Sequence, residues 1–408
     1  MNPTRSASLF AGRRRRPRLE YRFRGRLALA LKPLVQIYDA LGYLLWNRNK
    51  EFADISRIRS IAIVQPSGLG DVLLTLPLLH YLQQRRGLKV TLVVPRAAAT
   101  WLAHARWLDR VVGLDIPFLV PRDKRPDYAE AIAALQALDA DIIYEVRGDL
   151  RLCAMLYRSG FAVGGFGCGG GGFMLDRVLD FKSSFHAMDM YNAILRDLNI
   201  SDDPLVDWSP DLMPVASSAV ALPPDFVAIH VGTGWQSKQW PLKNFITLVE
   251  WLAKSRPVVI LGGPRDLDAA HHEALARVSN CTNLVGQLDF AESLGVVSRA
   301  GIFVGQDTGT THGAALLGKP VVALYSGIDD YRFLPPQLYP GQVLVIQNRP
   351  PCSGPNGCAR RICEDNICMT DISVSQVMRA VEEQSARPPH TGAWQPGIAP
   401  GRPWKAPR

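Results

Sequence analysis

The chain has 408 residues, 47% of them hydrophobic, and a formal net charge of +9. That length exceeds one core of the commonest domain size, so two packed domains are expected. The charge sits at the ends: residues 1–60 hold fourteen Arg or Lys against four Asp or Glu, and past Ala386 come four more basic residues and no acidic one, which leaves a mildly acidic middle and excludes a basic nucleic-acid platform there.

Seven cysteines, odd in number and with four crowded into residues 352–368, argue against a general disulfide framework and for a reducing compartment.

The amino end combines charge with periodicity. After RRRRPR (13–18), the segment through Trp46 repeats Leu27, Leu31, Leu34, Tyr38, Leu41 and Leu45 at three- and four-residue steps, with Lys32, Gln36 and Asp39 on another face. Lys32, Pro33 and Asp39 make it a poor membrane span. The spacing predicts a basic amphipathic helix, lying on an anionic membrane surface or packed on the protein's own core. A cleaved export signal fits less well, because the apolar region is interrupted and no clear cleavage site follows.

Beyond it, two sets of short apolar runs alternate with helix-length segments. The first is IAIV (61–64), VTLVV (90–94) and DIIYEV (141–146); the second is FVAIHV (226–231), PVVILGG (257–263), GIFVG (301–305) and PVVALYS (320–326). Continuous apolar strands between helices imply parallel sheets covered on both faces, hence two doubly wound α/β domains. Prolines and small polar residues in 201–225 mark their boundary. The expected division is a basic amphipathic extension (1–58), two Rossmann-like domains (59–205 and 206–385) and a Pro- and Gly-rich disordered tail (386–408).

In such sheets ligands collect at the carboxyl ends of strands, where helix amino termini point. The first such loop, QPSGLGD, matches a G-x-G-x-x-G fingerprint only loosely. Its Asp71 reads as a helix N-cap or, if the two domains face each other, as a general base aimed across the cleft. The run GGFGCGGGGF (164–173) reads as an acceptor loop or a linker. In HVGTGWQSKQW, small residues precede Lys238, a point charge beside Thr233 and Ser237. In LGGPRDLD, Asp266 reads as a ribose contact or a helix cap. In VGQDTGTTHGAALLGKP (304–320), Asp307 ends a strand, and Thr308, Gly309, Thr310 and Thr311 open a helix whose amides suit a phosphate; Asp307 itself reads as ligand contact or N-cap. Cys352, Cys358, Cys363 and Cys368, spaced C-x5-C-x4-C-x4-C, leave free thiols, a disulfide or a structural metal site open.

GDVLLTLPLL (70–79), RGDLR (147–151), KQWPLKNF (238–245), LGGPRD (261–266), GQDTGTTHGAALLGKPVVALYSGIDD (305–330) and the ending from Cys358 onward occur in order, and together the chain resembles the heptosyltransferases of lipopolysaccharide assembly, glycosyltransferase family 9. The resemblance implies the GT-B architecture, with two Rossmann-like domains facing a cleft. It also implies inverting, metal-independent transfer of a sugar, usually from ADP-heptose, to a glycolipid or oligosaccharide acceptor, with no cofactor and no nucleic-acid partner. Carried over by motif, Asp71 would be the base; Lys238 and Thr233 would hold the donor phosphates with the amides of Thr308, Gly309 and Thr310. Asp307 would touch sugar hydroxyls, with His312 beside it, and Asp266 the ribose. Arg147 and Arg151 would meet acidic groups of the acceptor or remain a solvated pair. The implied location is cytoplasmic, peripheral on the inner face of the cytoplasmic membrane, with residues 13–46 on the anionic surface. Two other classes share part of the pattern: an epimerase acting on nucleotide sugars, and a non-catalytic sugar-nucleotide-binding protein at the membrane.

Overall fold

Runs such as Ile61–Val64 and Val321–Tyr325 are buried at every position because they are central strands of parallel sheets. The computed structural model describes residues 26–46, 55–120, 126–181, 186–201, 204–217, 219–327, 333–353, 358 and 360–387, with side chains for all but 26–30, 46, 55 and 206. The basic run 13–18, the side chain of Leu27 and the tail beyond Arg387 lie outside the described residues. The chain divides into two compact units, Met1–Asp207 and Trp208–Arg408.

Unit 1 contains strands β1 (Ser60–Val64), β2 (Lys89–Val94), β3 (Arg110–Gly113), β4 (Ile142–Glu145), β5 (Ala162–Gly165) and β6 (Arg177–Val178), all parallel, in the order β3-β2-β1-β4-β5-β6. Its helices are α1 (Arg26–Trp46), α2 (Leu69–Arg86), α3 (Arg96–Leu102), α4 (Tyr128–Gln136), α5 (Leu150–Ser159), α6 (Ala187–Tyr191) and α7 (Ala193–Asp197). Unit 2 repeats the plan. Strands β7 (Val227–His230), β8 (Val258–Leu261), β9 (Cys281–Asn283), β10 (Ile302–Gln306), β11 (Val321–Tyr325) and β12 (Val343–Gln347) run in the order β12-β11-β10-β7-β8-β9. They carry α8 (Leu242–Leu252), α9 (Ala269–Ala276), α10 (Phe290–Arg299), α11 (Gly309–Leu316), α12 (Ile367–Thr370) and α13 (Val374–Ala386). In each sheet the winding reverses between the first and fourth strands, the order of a Rossmann fold with its ligand crevice at the switch. The chain thus has the two Rossmann-like domains of the GT-B class.

All seven apolar runs singled out in the sequence are strands. The glycine run 164–173 is not a linker. Its first two residues end β5, and most of the rest is buried beneath α1. The N–H of Gly171 donates to Asp39 Oδ1 at 3.0 Å, and Asp39 is fully buried. A Cβ on Gly170, whose φ is 93°, would lie 2.5 Å from Val35 Cγ1, so only glycine lets α1 come this close. From the other side, Gly42 lies against the Phe173 ring, whose edge also meets Tyr38 and Tyr43 at centroid distances of 5.4 and 6.4 Å.

Glu145, at the carboxyl end of β4, organises the neighbouring loops. Its fully buried carboxyl accepts N–H groups from Arg147 (3.0 Å), Gly148 (2.7 Å) and Phe166 (2.7 Å). Burial raises its pKa to about 7, against the opposing pull of those three N–H donors.

Two consequences are measurable. Gly42→Ala gains about 1 kcal/mol of helix propensity, yet its Cβ would meet Phe173 ring carbons at 2.3 to 2.5 Å. Packing dominates, so the melting temperature falls; a rise would show that α1 is not seated on Phe173. For Glu145, the folded state binds the proton more tightly than the unfolded chain does. Its contribution is therefore complete below about pH 4.5 and lost as pH rises through about 7. Calorimetric melts of the wild type and Glu145→Gln should show the wild type losing stability relative to the variant across that window.

Candidate functional site

In unit 2 the switch strands β7 and β10 end side by side, and their loops meet through one side chain. Gln306, the last residue of β10, is fully buried. Its Oε1 accepts the N–H of Trp240, while Nε2 donates to the carbonyls of Val231 (2.9 Å) and Gly232 (3.3 Å). Its own carbonyl accepts the Thr311 hydroxyl. Gln306 thereby fixes both ends of the 231–240 loop and the first turn of α11.

That arrangement sets Lys238 against Asp307. The ammonium pairs with Asp307 Oδ2, at side-chain exposures of 16% and 9%, and lies 5.1 Å from the Trp235 ring centroid. Burial of a lysine to this degree requires such a counter-charge. The other oxygen, Oδ1, stands 3.7 Å from His312 Nε2, and His312 Nδ1 is buried without a hydrogen-bond partner among the described residues. Asp307 does not cap the helix. The N-cap of α11 is Thr308, in extended conformation and with no side-chain cap bond. The helix therefore begins with backbone N–H groups uncovered by a capping side chain, beside a lysine: an arrangement that attracts an anion.

Asp266 is likewise no cap. Asp268 caps α9 by accepting the His271 N–H at 2.9 Å, whereas Asp266 accepts the Gly263 N–H at 2.5 Å and lies against Gly232. A Cβ on Gly232 would fall 1.7 Å from Asp266 Oδ2, so this glycine makes room for the carboxylate. Gly234 has open space around it. The Thr233 hydroxyl is buried and has no hydrogen-bond partner among the described residues. Thr233, Lys238, Asp266, Asp307, Thr308, Gly309, Thr310 and His312 thus all lie at carboxyl ends of strands or in the helix turn that follows.

In unit 1 the equivalent loops follow β1 and β4. Gly68 is the N-cap of α2, without a side-chain cap bond, and Asp71 stands in the first turn rather than at the cap. The Tyr191 hydroxyl donates to Asp71 Oδ1 at 3.3 Å, and the Asp71 carbonyl accepts the Thr75 hydroxyl at 2.8 Å. Negative charge is favoured at a helix start. Arg147 reaches the β1 loop, donating from Nη1 to Ser67 Oγ at 3.3 Å, so it shares the switch point with Asp71. Arg151 turns elsewhere: it grips Asp149 with two bonds, of 3.1 and 2.8 Å, under the Phe118 ring.

Sequence reading missed several supports. Gln306 lies inside the quoted 305–330 block but was given no role there, and Glu145 belongs to no quoted motif; their only local signal is a polar residue at the end of an otherwise apolar run. The cysteine-rich segment braces the lysine loop. Cys363 exchanges hydrogen bonds with the Gln236 amide, Ser237 Oγ donates to the Arg360 carbonyl at 2.7 Å, and Asn366 donates to the Gln239 carbonyl at 3.0 Å. Its four cysteines are unpaired thiols. Among the described residues no three His, Cys, Asp or Glu side chains are placed to hold a metal ion.

Residues 199–354 match the model of glycosyltransferase family 9 (heptosyltransferase). A 116-residue segment is 30% identical to lipopolysaccharide heptosyltransferase 2 of Salmonella typhimurium, and 30% identical over the same length to that of Escherichia coli. Each alignment spans 27% of this chain and only a third, 33%, of the relative's length. Among solved structures, Escherichia coli heptosyltransferase WaaC with ADP-2-deoxy-2-fluoro heptose superposes with a TM-score of 0.60 at 19% identity, covering 79% of this chain and 99% of that one. A family 9 glycosyltransferase from Veillonella parvula does so with a TM-score of 0.60 at 18% identity, covering 80% and 97%. Both share the fold. Residues 199–354 are thus similar to the glycosyltransferase family 9 model, in a chain whose two-domain fold is shared with solved heptosyltransferases.

Proposed function

We propose that the protein is an inverting, metal-independent glycosyltransferase that moves a sugar, heptose from ADP-heptose, onto a lipopolysaccharide-core or related glycolipid acceptor. The observation that carries this reading is the pairing of Lys238 with the uncapped start of α11 at the switch point of the family 9 domain. The donor's diphosphate lies on the amides of Thr308, Gly309 and Thr310 and on Lys238, with Thr233 adding its hydroxyl. Asp266 takes the ribose. Asp307, with His312 behind it, takes sugar hydroxyls. The lipopolysaccharide heptosyltransferase relatives support heptose as the sugar, and the solved relative with an ADP-heptose analogue supports ADP as the carrier.

Chemistry then follows from where charge develops. As the acceptor hydroxyl attacks the anomeric carbon, Asp71 removes its proton. The bond to the diphosphate breaks on the opposite face, and negative charge grows on the leaving oxygen. Fixed donors aimed at that oxygen stabilise the transition state more than the ground state, because they need no reorganisation. Arg147, beside the Asp71 loop, meets acidic groups of the acceptor, and Arg151 joins it if Asp149 releases it.

A glycolipid acceptor requires the enzyme to work at a membrane. The proposed setting is the inner face of the cytoplasmic membrane, with residues 13–46 on its anionic surface. No helix among the described residues is long and apolar enough to cross a bilayer; the proposed attachment is peripheral.

Release of ADP from ADP-heptose in the presence of lipopolysaccharide-core acceptor measures the reaction. Lys238→Ala should reduce kcat by about a hundred- to a thousandfold, as for loss of one preorganised donor. Asp71→Ala should fold normally and lose at least about a hundredfold; full turnover by this variant would remove the base from the mechanism. Asp307→Asn separates the roles within the donor site: ADP binding survives while heptose transfer falls, and equal loss of both would place Asp307 on the phosphates instead.

A further inference from the structure

Helix α1 turns most of its large apolar side chains outward. Asp39 is buried and Lys32 and Gln36 are half-buried against unit 1, whereas Leu31, Leu34, Ile37, Tyr38, Leu41, Leu44 and Leu45 face outward, with Leu34 63% and Leu44 75% exposed. These seven make up most of the exposed large hydrophobic residues among those described; the others are Ile362 and Ile367. No charged residue interrupts the outward stripe. A helix on a water-soluble surface hides such a face.

The buried face is held at defined points. Asp39 accepts the Gly171 N–H, Val35 enters the space left by Gly170, and Gly42 lies on Phe173. On its other side the same glycine run touches the acceptor-side segment: a Cβ on Gly169 would lie 2.2 Å from the Gly148 carbonyl oxygen, and one on Gly171 would lie 2.8 Å from Leu150. The run is therefore a thin layer with α1 on one side and residues 148–150 on the other.

We propose that α1 is a rigid docking surface for an anionic bilayer, and that the glycine run 164–173 fixes its roll, so that docking holds the 147–151 segment at a set orientation to the lipid. This deepens the membrane reading above and rests on it, but not on the sugar chemistry. The choice of occupant follows from charge: the stripe continues from a sequence in which RRRRPR (13–18) lies within a region of fourteen basic and four acidic residues. An apolar stripe beside concentrated basic charge suits acyl chains under anionic headgroups. The following stretch NRNKEFAD (47–54) offers one large apolar side chain, too little to cover the stripe.

The test is flotation of the full chain with vesicles of phosphatidylglycerol and phosphatidylethanolamine, against phosphatidylcholine alone. Binding is expected to the anionic vesicles, weakening as salt rises. Leu34→Glu/Leu44→Glu should lower the bound fraction at least about tenfold, with circular dichroism and ADP binding unchanged. Asp39→Ala tests the seat: amide exchange in residues 31–45 should speed up in solution while the β1 and β4 core stays protected. Absence of wild-type binding, equal binding to phosphatidylcholine, or undiminished binding by the double variant overturns the docking surface. A wild-type dimer that the double variant converts to monomer assigns the stripe to a second copy instead. Unchanged exchange in Asp39→Ala overturns the seat.

Discussion

Unit 2 depends on one buried amide. A strand end in a parallel sheet leaves the following loops free to diverge, and a phosphate site needs them to converge. Gln306 supplies the convergence: its side chain is bonded to Trp240, Val231 and Gly232 across the switch point, and its carbonyl takes the Thr311 hydroxyl. With both ends of the 231–240 loop fixed, Lys238 has little choice of partner and meets Asp307. The uncapped start of α11 then stands beside a cation whose position the fold fixes, the preorganisation that the proposed electrostatic catalysis requires.

Unit 1 uses a buried acid for the same purpose. Glu145 collects three backbone N–H groups at the end of β4, and Gly165 must be glycine to admit it: a Cβ there would lie 2.5 Å from Glu145 Cγ. The loop so held carries Arg147, and the next strand leads into the glycine layer under α1. Sheet, the 147–151 segment and the outward-facing helix are thus linked through close glycine contacts that tolerate no side chain. Under the proposed docking, the position of α1 on a lipid surface and the position of Arg147 become one geometric property of the unit.

How much of this was legible beforehand varied with the kind of signal. Strands such as Ile61–Val64 and Val321–Tyr325 announce themselves, because burial on both faces demands an unbroken apolar run. Strand β5 does not, since half of its AVGG is glycine required by neighbours distant in sequence. Asp71, Asp266 and Asp307 were recognisable as acids at strand-to-helix junctions, but cap and ligand contact place the same residue type within one to three positions of each other. Only coordinates show that Gly68, Asp268 and Thr308 hold the cap positions. The periodicity of α1 was plain, yet a period has no sign: it separates two faces without saying which turns inward. Gln306 and Glu145 left almost no trace, because their partners are backbone groups of loops that any sequence could provide.

The central claim is that loops convened by Gln306 form a nucleoside diphosphate site. Calorimetric titration of ADP, with UDP and GDP alongside, into the wild type and into Gln306→Ala tests it most directly, with circular dichroism confirming that the variant is folded. The account predicts selective ADP binding by the wild type and a loss of at least about tenfold, about 1.4 kcal/mol, in the variant. No nucleotide binding by the wild type, or equal affinity in a folded Gln306→Ala protein, would contradict it.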